Sequence, residues 1–277
     1  MLIKGIHILS VIISVSLFFA LDMALWALIP VWAGVWLILA LLAFAFLVIV
    51  CKRVDLDKPQ AENDDPFYRS VMDLYIEALV NLVMARIHTK GLEKTPREGR
   101  FLLVCNHLFL ADPGVVLHVF RKSQLAFITK QENFEMPIVN KFMHKILCQP
   151  VDRDNDRQAL KTILKCISLV KEDKVSMCVF PEGYTSKDGK LHPFRAGVFK
   201  IAQKTNVPIV VCTIQNTRQI FKNLRKLKHT DIHLHLVDVI QPEELKGKTT
   251  AEIGQRVYEM MIGDLGEEFR MELAQNT

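Results

Sequence analysis

Among the first fifty residues only Lys4 and Asp22 belong to the Asp/Glu/Lys/Arg set. No other feature limits the fold so strongly, because the rest of the chain is not apolar enough to bury such a segment. Ile6 to Leu21 and Val35 to Val50 are almost purely apolar, and the stretch between them carries Asp22, Pro30, Trp26, Trp32 and Trp36. Together the runs are too long for one membrane span of roughly 20 residues and compact for two. The reading is a membrane-anchoring helical hairpin over residues 1–53. Lys4 precedes it and Lys52–Arg53 follow it, so both ends are expected on the cytoplasmic side, with the tryptophans at the far interface. A cleaved leader does not fit, since no small-residue cleavage site followed by a polar mature end is present. The two charges cancel, so the net charge of +5 belongs to residues 51–277. A basic domain on a greasy anchor points to an anionic bilayer or an anionic substrate. Basic residues interleaved with aromatics, the pattern expected for nucleic acid, are not found.

Residues 54–65 (VDLDKPQAENDD) read as a polar linker and residues 66–277 as one further domain. From Pro66 to about His88 apolar residues recur at helical spacing, which predicts an amphipathic helix. Thr89 to Arg100 is read as a hairpin or loop. Short apolar runs at Phe101–Cys105, Gln124–Thr129, Val175–Phe180, Pro208–Ile214 and Ile232–Ile240 predict strands. Helical patterns at Pro137–Leu147, Asp156–Glu172, Phe194–Lys204 and Ala251 to about Ala274 separate or follow them. Such alternation implies α/β: a mixed, partly parallel sheet flanked by helices. The six cysteines are scattered, without C-x-x-C, and several lie in apolar runs, which suits a reducing compartment better than disulfides or a zinc site.

The chemistry gathers at the ends of two of these strands. The first runs into Asn106-His107, and Asp112-Pro113 follow. Asp then Pro is a helix start, with the carboxylate expected to cap free N–H groups of its own helix. A carboxylate within reach of an imidazole also fixes the tautomer that a general base needs. The strand ending at Phe180 runs into Pro181-Glu182-Gly183-Tyr184-Thr185-Ser186, on the side where open α/β sheets place their sites.

NHLFLAD followed about seventy residues later by FPEG resembles the glycerolipid acyltransferases, the 1-acyl-glycerol-3-phosphate acyltransferase family, whose signatures are N-H-x4-D and F-P-E-G-T. Val151-Asp152-Arg153, Val207-Pro208-Ile209-Val210 and Lys130 in ITKQENFEMP are similar to weaker blocks of that family. The likeness covers roughly residues 80 to 240. Tyr184 stands where the family has threonine, Cys212 replaces a proline of the last block, and Gln149-Pro150 replaces a more apolar approach to Arg153.

The resemblance implies that His107 is the general base on a glycerol hydroxyl and Asp112 its orienting partner, with direct attack on an acyl thioester. It implies Arg153 as phosphate ligand, since a guanidinium fork grips two oxygens at once. It also implies that Glu182 and Gly183 shape the acceptor side of the cleft, with Lys130 and Arg195 as further anion contacts. The expected donor is acyl-CoA or acyl-carrier protein, the acceptor lysophosphatidic acid and the product phosphatidic acid, at a lipid bilayer, with no cofactor, metal or nucleic acid. Alternatives are another lysophospholipid acceptor or a non-catalytic lipid-binding protein on the same fold.

Three rivals come from single residues. A metal hydrolase would use His107 and Asp112 with His118 or the His233/His235 pair. That pair alternates with leucines, which reads as the polar face of a strand. A nucleophilic hydrolase would need a serine or Cys105, which ends an apolar strand and is expected to be buried and inert. A non-catalytic protein would not need the reactive groups that both motifs retain.

Overall fold

The computed structural model describes residues 1–152 and 155–271. The apolar start forms α1 (Leu2–Ala20) and α2 (Leu28–Lys52), packed on each other. At 1.5 Å per residue they are about 28 and 38 Å long. Both are long and apolar enough to cross a membrane, with mean hydropathies of 2.1 and 2.9 over the best windows. α2 starts earlier than its apolar run because Pro30 falls in the first turn, where a missing N–H breaks no helical bond. Ser10 and Ser14 are buried between the helices and return their hydroxyls to the carbonyls of His7 and Ser10, both at 2.7 Å. Both hydroxyls are thereby satisfied within α1, whereas the buried indole N–H of Trp32 on α2, edge-on to His7, has no hydrogen-bond partner among the described residues.

The hairpin rests on α3 (Pro66–Leu82), which opens on Asp65, whose carboxylate accepts from the N–H groups of Phe67 and Tyr68. Tyr68 donates to the carbonyl of Val50, and Leu47, Val50, Cys51 and Val54 join the core of the following domain. Residues 54–65 are tied to that domain. Gln60 donates to the carbonyl of Cys148, Lys174 to Asn63, and Asp64 holds the buried Arg69 at 2.6 Å.

Among the described residues seven strands form one sheet: β1 (Ala85–Lys90), β2 (Leu102–Cys105), β3 (Leu125–Lys130), β4 (Gln149–Val151), β5 (Ser176–Val179), β6 (Ile209–Gln215) and β7 (Thr230–Ile240). Their order is β1-β7-β6-β2-β5-β3-β4, and only the β6–β7 pair is antiparallel. The expected mixed, partly parallel sheet is therefore present. Central β2 is fully buried, which explains its unbroken apolar sequence. It pairs with β5 through Val104 and Val179 and with β6 through Cys105 and Cys212, so all three strands end at one edge.

The remaining helices are α4 (Asp112–Val119), α5 (Val139–Lys145), α6 (Asp156–Lys171), α7 (Lys200–Thr205), α8 (Ile220–Leu224) and α9 (Thr250–Leu265). Three readings of the sequence are corrected. The helix from Pro66 stops at Leu82, Met84 takes a φ of +54°, and residues 85–90, read as helix end and loop, form β1. Val151, where the sequence suggests that a polar loop begins, instead closes edge strand β4 (Gln149–Val151), a position where Pro150 costs no ladder bond. Finally, Phe194–Lys204 is not continuous helix: a 3-10 turn at Ala196–Phe199 precedes α7.

Candidate active site

The site is built on the loops that leave β2 and β5. Asn106 follows β2 and is buried; its side chain donates to the carbonyl of Ile214 at 3.0 Å and accepts from that residue's N–H at 2.7 Å. This two-way bond nails the loop to the end of β6. His107 comes next and is held from every side. Its N–H donates to Glu182 Oε1 at 2.8 Å, and its carbonyl accepts from the N–H of Ser186 at 2.8 Å. The ring stacks on Phe180, with centroids 4.3 Å apart and planes 19° from parallel.

His107 Nδ1 meets Asp112 Oδ2 at 2.8 Å, so the two residues proposed from spacing are in contact. The route to that contact differs from the expectation. Asp112 is the first residue of α4 and caps no N–H of its own helix. It turns back instead, and Oδ2 accepts from the N–H groups of Leu108 at 2.6 Å and Phe109 at 2.7 Å as well as from the imidazole. A five-residue excursion thus closes on one buried oxygen. As a carboxylate Asp112 only accepts, so Nδ1 carries the proton and Nε2 keeps its lone pair. Nε2 lies 3.1 Å from the hydroxyl of Thr185.

Glu182 lies beneath the loops, 1% exposed, rather than in an open cleft. Its second oxygen accepts from the N–H of His192 at 3.0 Å, so the carboxylate joins three loop segments. Burial pushes its pKa up to about 7, against the two N–H donors, and the charges of Asp112 and Asp188 add to the rise. Gly183 takes a φ of +84°, where a side chain would be strained, and lets the chain turn between Glu182 and Thr185.

The remaining predicted residues are Lys130, Arg195 and Arg153. Lys130 ends β3 with its side chain 54% exposed and pairs with Glu132 at 2.6 Å. Arg195 is exposed, and its N–H donates to the carbonyl of Pro181 at 2.8 Å, which places its backbone against the Glu182 loop. Arg153 lies outside the described residues. Sequence reasoning passed over Thr185, Phe180 and Ser186; the signal available was their position beside the Glu-Gly turn.

The rivals find less support. Cys105 is fully buried, and burial pushes its thiol well above the usual range. His233 and His235 sit on the partly exposed face of β7, where His235 Nδ1 reaches Asp264 at 3.3 Å. Among the described residues no three His, Cys, Asp or Glu side chains are grouped to hold a metal ion.

Residues 86–215 match the family model described as Acyltransferase. This chain carries an acyltransferase-family domain. The matched residues contain the His107–Asp112 pair, the Glu182 loop and all but the last of the strands. Over 148 residues the chain is 33% identical to a chloroplastic 1-acyl-sn-glycerol-3-phosphate acyltransferase of Brassica napus, covering 52% of this chain and 42% of that protein. A bacterial relative, the 1-acyl-sn-glycerol-3-phosphate acyltransferase of Borreliella burgdorferi, is 26% identical over 172 residues, 61% of this chain and 68% of its own. The chain spans about half the length of the plant relatives it matches. The chain also shares the fold of the solved 1-acyl-sn-glycerophosphate (LPA) acyltransferase, PlsC, of Thermotoga maritima. The TM-score is 0.61 at 21% identity, over 83% of this chain and 90% of that one.

Proposed function

We propose that the chain transfers a fatty acyl group from an acyl thioester, acyl-CoA or acyl-carrier protein, to the sn-2 hydroxyl of 1-acyl-glycerol-3-phosphate, giving phosphatidic acid. The observation that carries this reading is the hydroxyl already seated at His107 Nε2. It marks where an acceptor hydroxyl would give up its proton. Asp112 holds the proton on Nδ1 and stabilises the imidazolium as it forms. The acceptor oxygen forms its bond to the thioester carbonyl carbon, the carbon–sulfur bond breaks, and the imidazolium returns its proton to the leaving thiolate. Asn106, Glu182 and Ser186 act through His107 by fixing the loop that bears it. The relatives' names support lysophosphatidic acid as acceptor. In this reading Arg153 binds its phosphate, on the strength of the motif, with Lys130 and Arg195 as the next candidates.

The domain division into a hairpin at 1–53, a connecting 54–65 and a catalytic 66–277 belongs to the same proposal, with both hairpin ends and the catalytic domain on the cytoplasmic face. To test the activity, the purified chain is offered a panel of lysolipids with acyl-CoA and acyl-carrier-protein donors, and products are identified by mass. Phosphatidic acid from lysophosphatidic acid is the expected product. A different preferred lysolipid would correct the acceptor, and no acylated product from any pair would end the proposal.

A further inference from the structure

From Gly189 to Thr230 the sequence contains nine lysine and arginine residues and no aspartate or glutamate. Four of the nine fall within residues 222–228 (KNLRKLK). The fold concentrates the second half of this stretch at the edge that bears His107. β6 runs parallel to β2, and the segment Asn216–His229 leaves its carboxyl end. Arg218 donates to the carbonyl of Lys187 at 2.6 Å, which docks this segment beside the Glu182 loop. Phe221 meets Phe109 edge-on at 5.4 Å, two residues from His107.

Lys222, Arg225, Lys226 and Lys228 are all exposed, and among the described residues none of the four pairs with a carboxylate. Beside them in the chain stand Phe221, 52% exposed, and Leu227, 80% exposed; Leu110, on the histidine loop, is 65% exposed. Leu227 also holds a φ of +51°. A residue other than Gly, Asn or Asp is uncommon there, and the Leu227 side chain stands in solvent rather than in the core. Cations with exposed apolar side chains beside them match an anionic bilayer surface, where lysine and arginine meet headgroups and the apolar groups enter the interface. A nucleic acid would use the charges and leave Phe221 and Leu227 unexplained.

We propose that the α8 segment, residues 216–229, is a second bilayer contact, separate from the hairpin, that seats the mouth of the active site on an anionic leaflet. This rests on the acyl-transfer reading only in that the acceptor is a bilayer lipid. The hairpin anchors the chain; the α8 contact sets how the site meets its substrate.

The test uses the full-length chain reconstituted in vesicles of phosphatidylcholine, with or without about one third phosphatidylglycerol. All six native cysteines are buried, so an environment-sensitive fluorophore can be attached at Leu227→Cys. Glu98→Cys, exposed before the start of β2 and so at the opposite edge, serves as control. The label at 227 is expected to shift to the blue in anionic vesicles, to lose the shift at high salt, and to lose it when Lys222, Arg225, Lys226 and Lys228 are all changed to Gln. The label at 98 stays in water throughout. The fourfold variant is also expected to acylate lysophosphatidic acid in anionic vesicles at least about tenfold more slowly, since each of the four cations near such a surface is worth about fivefold. It acylates a short-chain, monomeric acceptor at the wild-type rate.

A label at 227 that reports water in every vesicle would overturn the proposal. So would a shift produced by added RNA and not by lipid, or a fourfold variant equally slow on the monomeric acceptor. A wild-type chain that acylates nothing would refute the acyl-transfer reading alone, because the label decides the contact without turnover.

Discussion

Thr185 separates two ways of using the geometry around His107. Its hydroxyl, the imidazole and Asp112 form a line with contacts of 3.1 and 2.8 Å, the order of a nucleophile, its base and an orienting acid. In direct transfer the threonine only occupies the place of the acceptor hydroxyl. Thr185→Val is therefore expected to retain acyl transfer, and intact-protein mass spectrometry with donor alone should show no acyl adduct on the wild type. An adduct lost in Thr185→Val would make the mechanism two-step. Glu182 offers a prediction about pH. Its carboxyl ionises near 4.5 when unfolded and near 7 in the folded chain. Between those values the folded state holds the extra proton, so this group's stabilisation is complete below about pH 4.5 and is lost as pH rises to 7. The loss is of the order of 3 kcal/mol, at 1.36 kcal/mol per unit. Melting the detergent-solubilised chain across that window should show a downward contribution that Glu182→Gln removes; equal slopes would place the proton elsewhere. His107 and Asp112 were legible in the sequence because the N-H-x4-D spacing is itself a recognisable motif, and the structure brings the two side chains together. The sequence hid the acid's route to the ring, since a helix-capping aspartate and one that folds back on its own loop are written with the same Asp-Pro. Thr185 was hidden because its role exists only when two loops seventy residues apart are laid together.

At the level of elements, buried strands announced themselves and edge strands did not. β2 and β5 are covered on both faces and read as apolar runs, whereas β1 (ARIHTK) exposes most of its side chains and β4 contains a proline. Their pairing comes from partners far along the chain, Thr230–His235 for β1 and Ile128–Lys130 for β4, which no local pattern shows. The turn after β1 makes this dependence measurable. Gly91 has a φ of +77°, and a Cβ there would stand 2.2 Å from the carbonyl oxygen of Leu236 on β7. Gly99 has a similar φ of +74° with nothing within 4 Å of such an atom. Gly91→Ala combines left-handed strain with a backbone clash and should destabilise by about 1–3 kcal/mol, or about 2–4 °C in melting temperature for each kcal/mol. Gly99→Ala carries only the strain and should cost less. Equal costs would mean that β1 does not approach β7 as closely as the register requires.

Across the whole molecule, the hairpin and the catalytic domain share a core. Leu47 and Val50 of α2 pack into it, Tyr68 of α3 bonds to Val50, and the amino terminus contacts Glu77 near the other end of α3. Both ends of the hairpin therefore meet one helix on one side. Reporters fused at residue 1 and at residue 277 are expected on the same, cytoplasmic, face of the membrane, and a tail reporter on the far face would contradict that topology. The position of the two apolar helices was legible from composition, but their seat on α3 was not, because the amphipathic face of α3 fits a bilayer and a protein core equally well. The central claim is that His107, oriented by Asp112, takes the proton of an acceptor hydroxyl as the acyl group moves to it. Its most direct test is the rate of phosphatidic acid formation from lysophosphatidic acid and acyl thioester by the wild-type chain and by His107→Ala, with thermal melts to show that both are folded. The account predicts a rate lower by about two to four orders of magnitude for the variant. A folded His107→Ala chain that forms phosphatidic acid at close to the wild-type rate would contradict it.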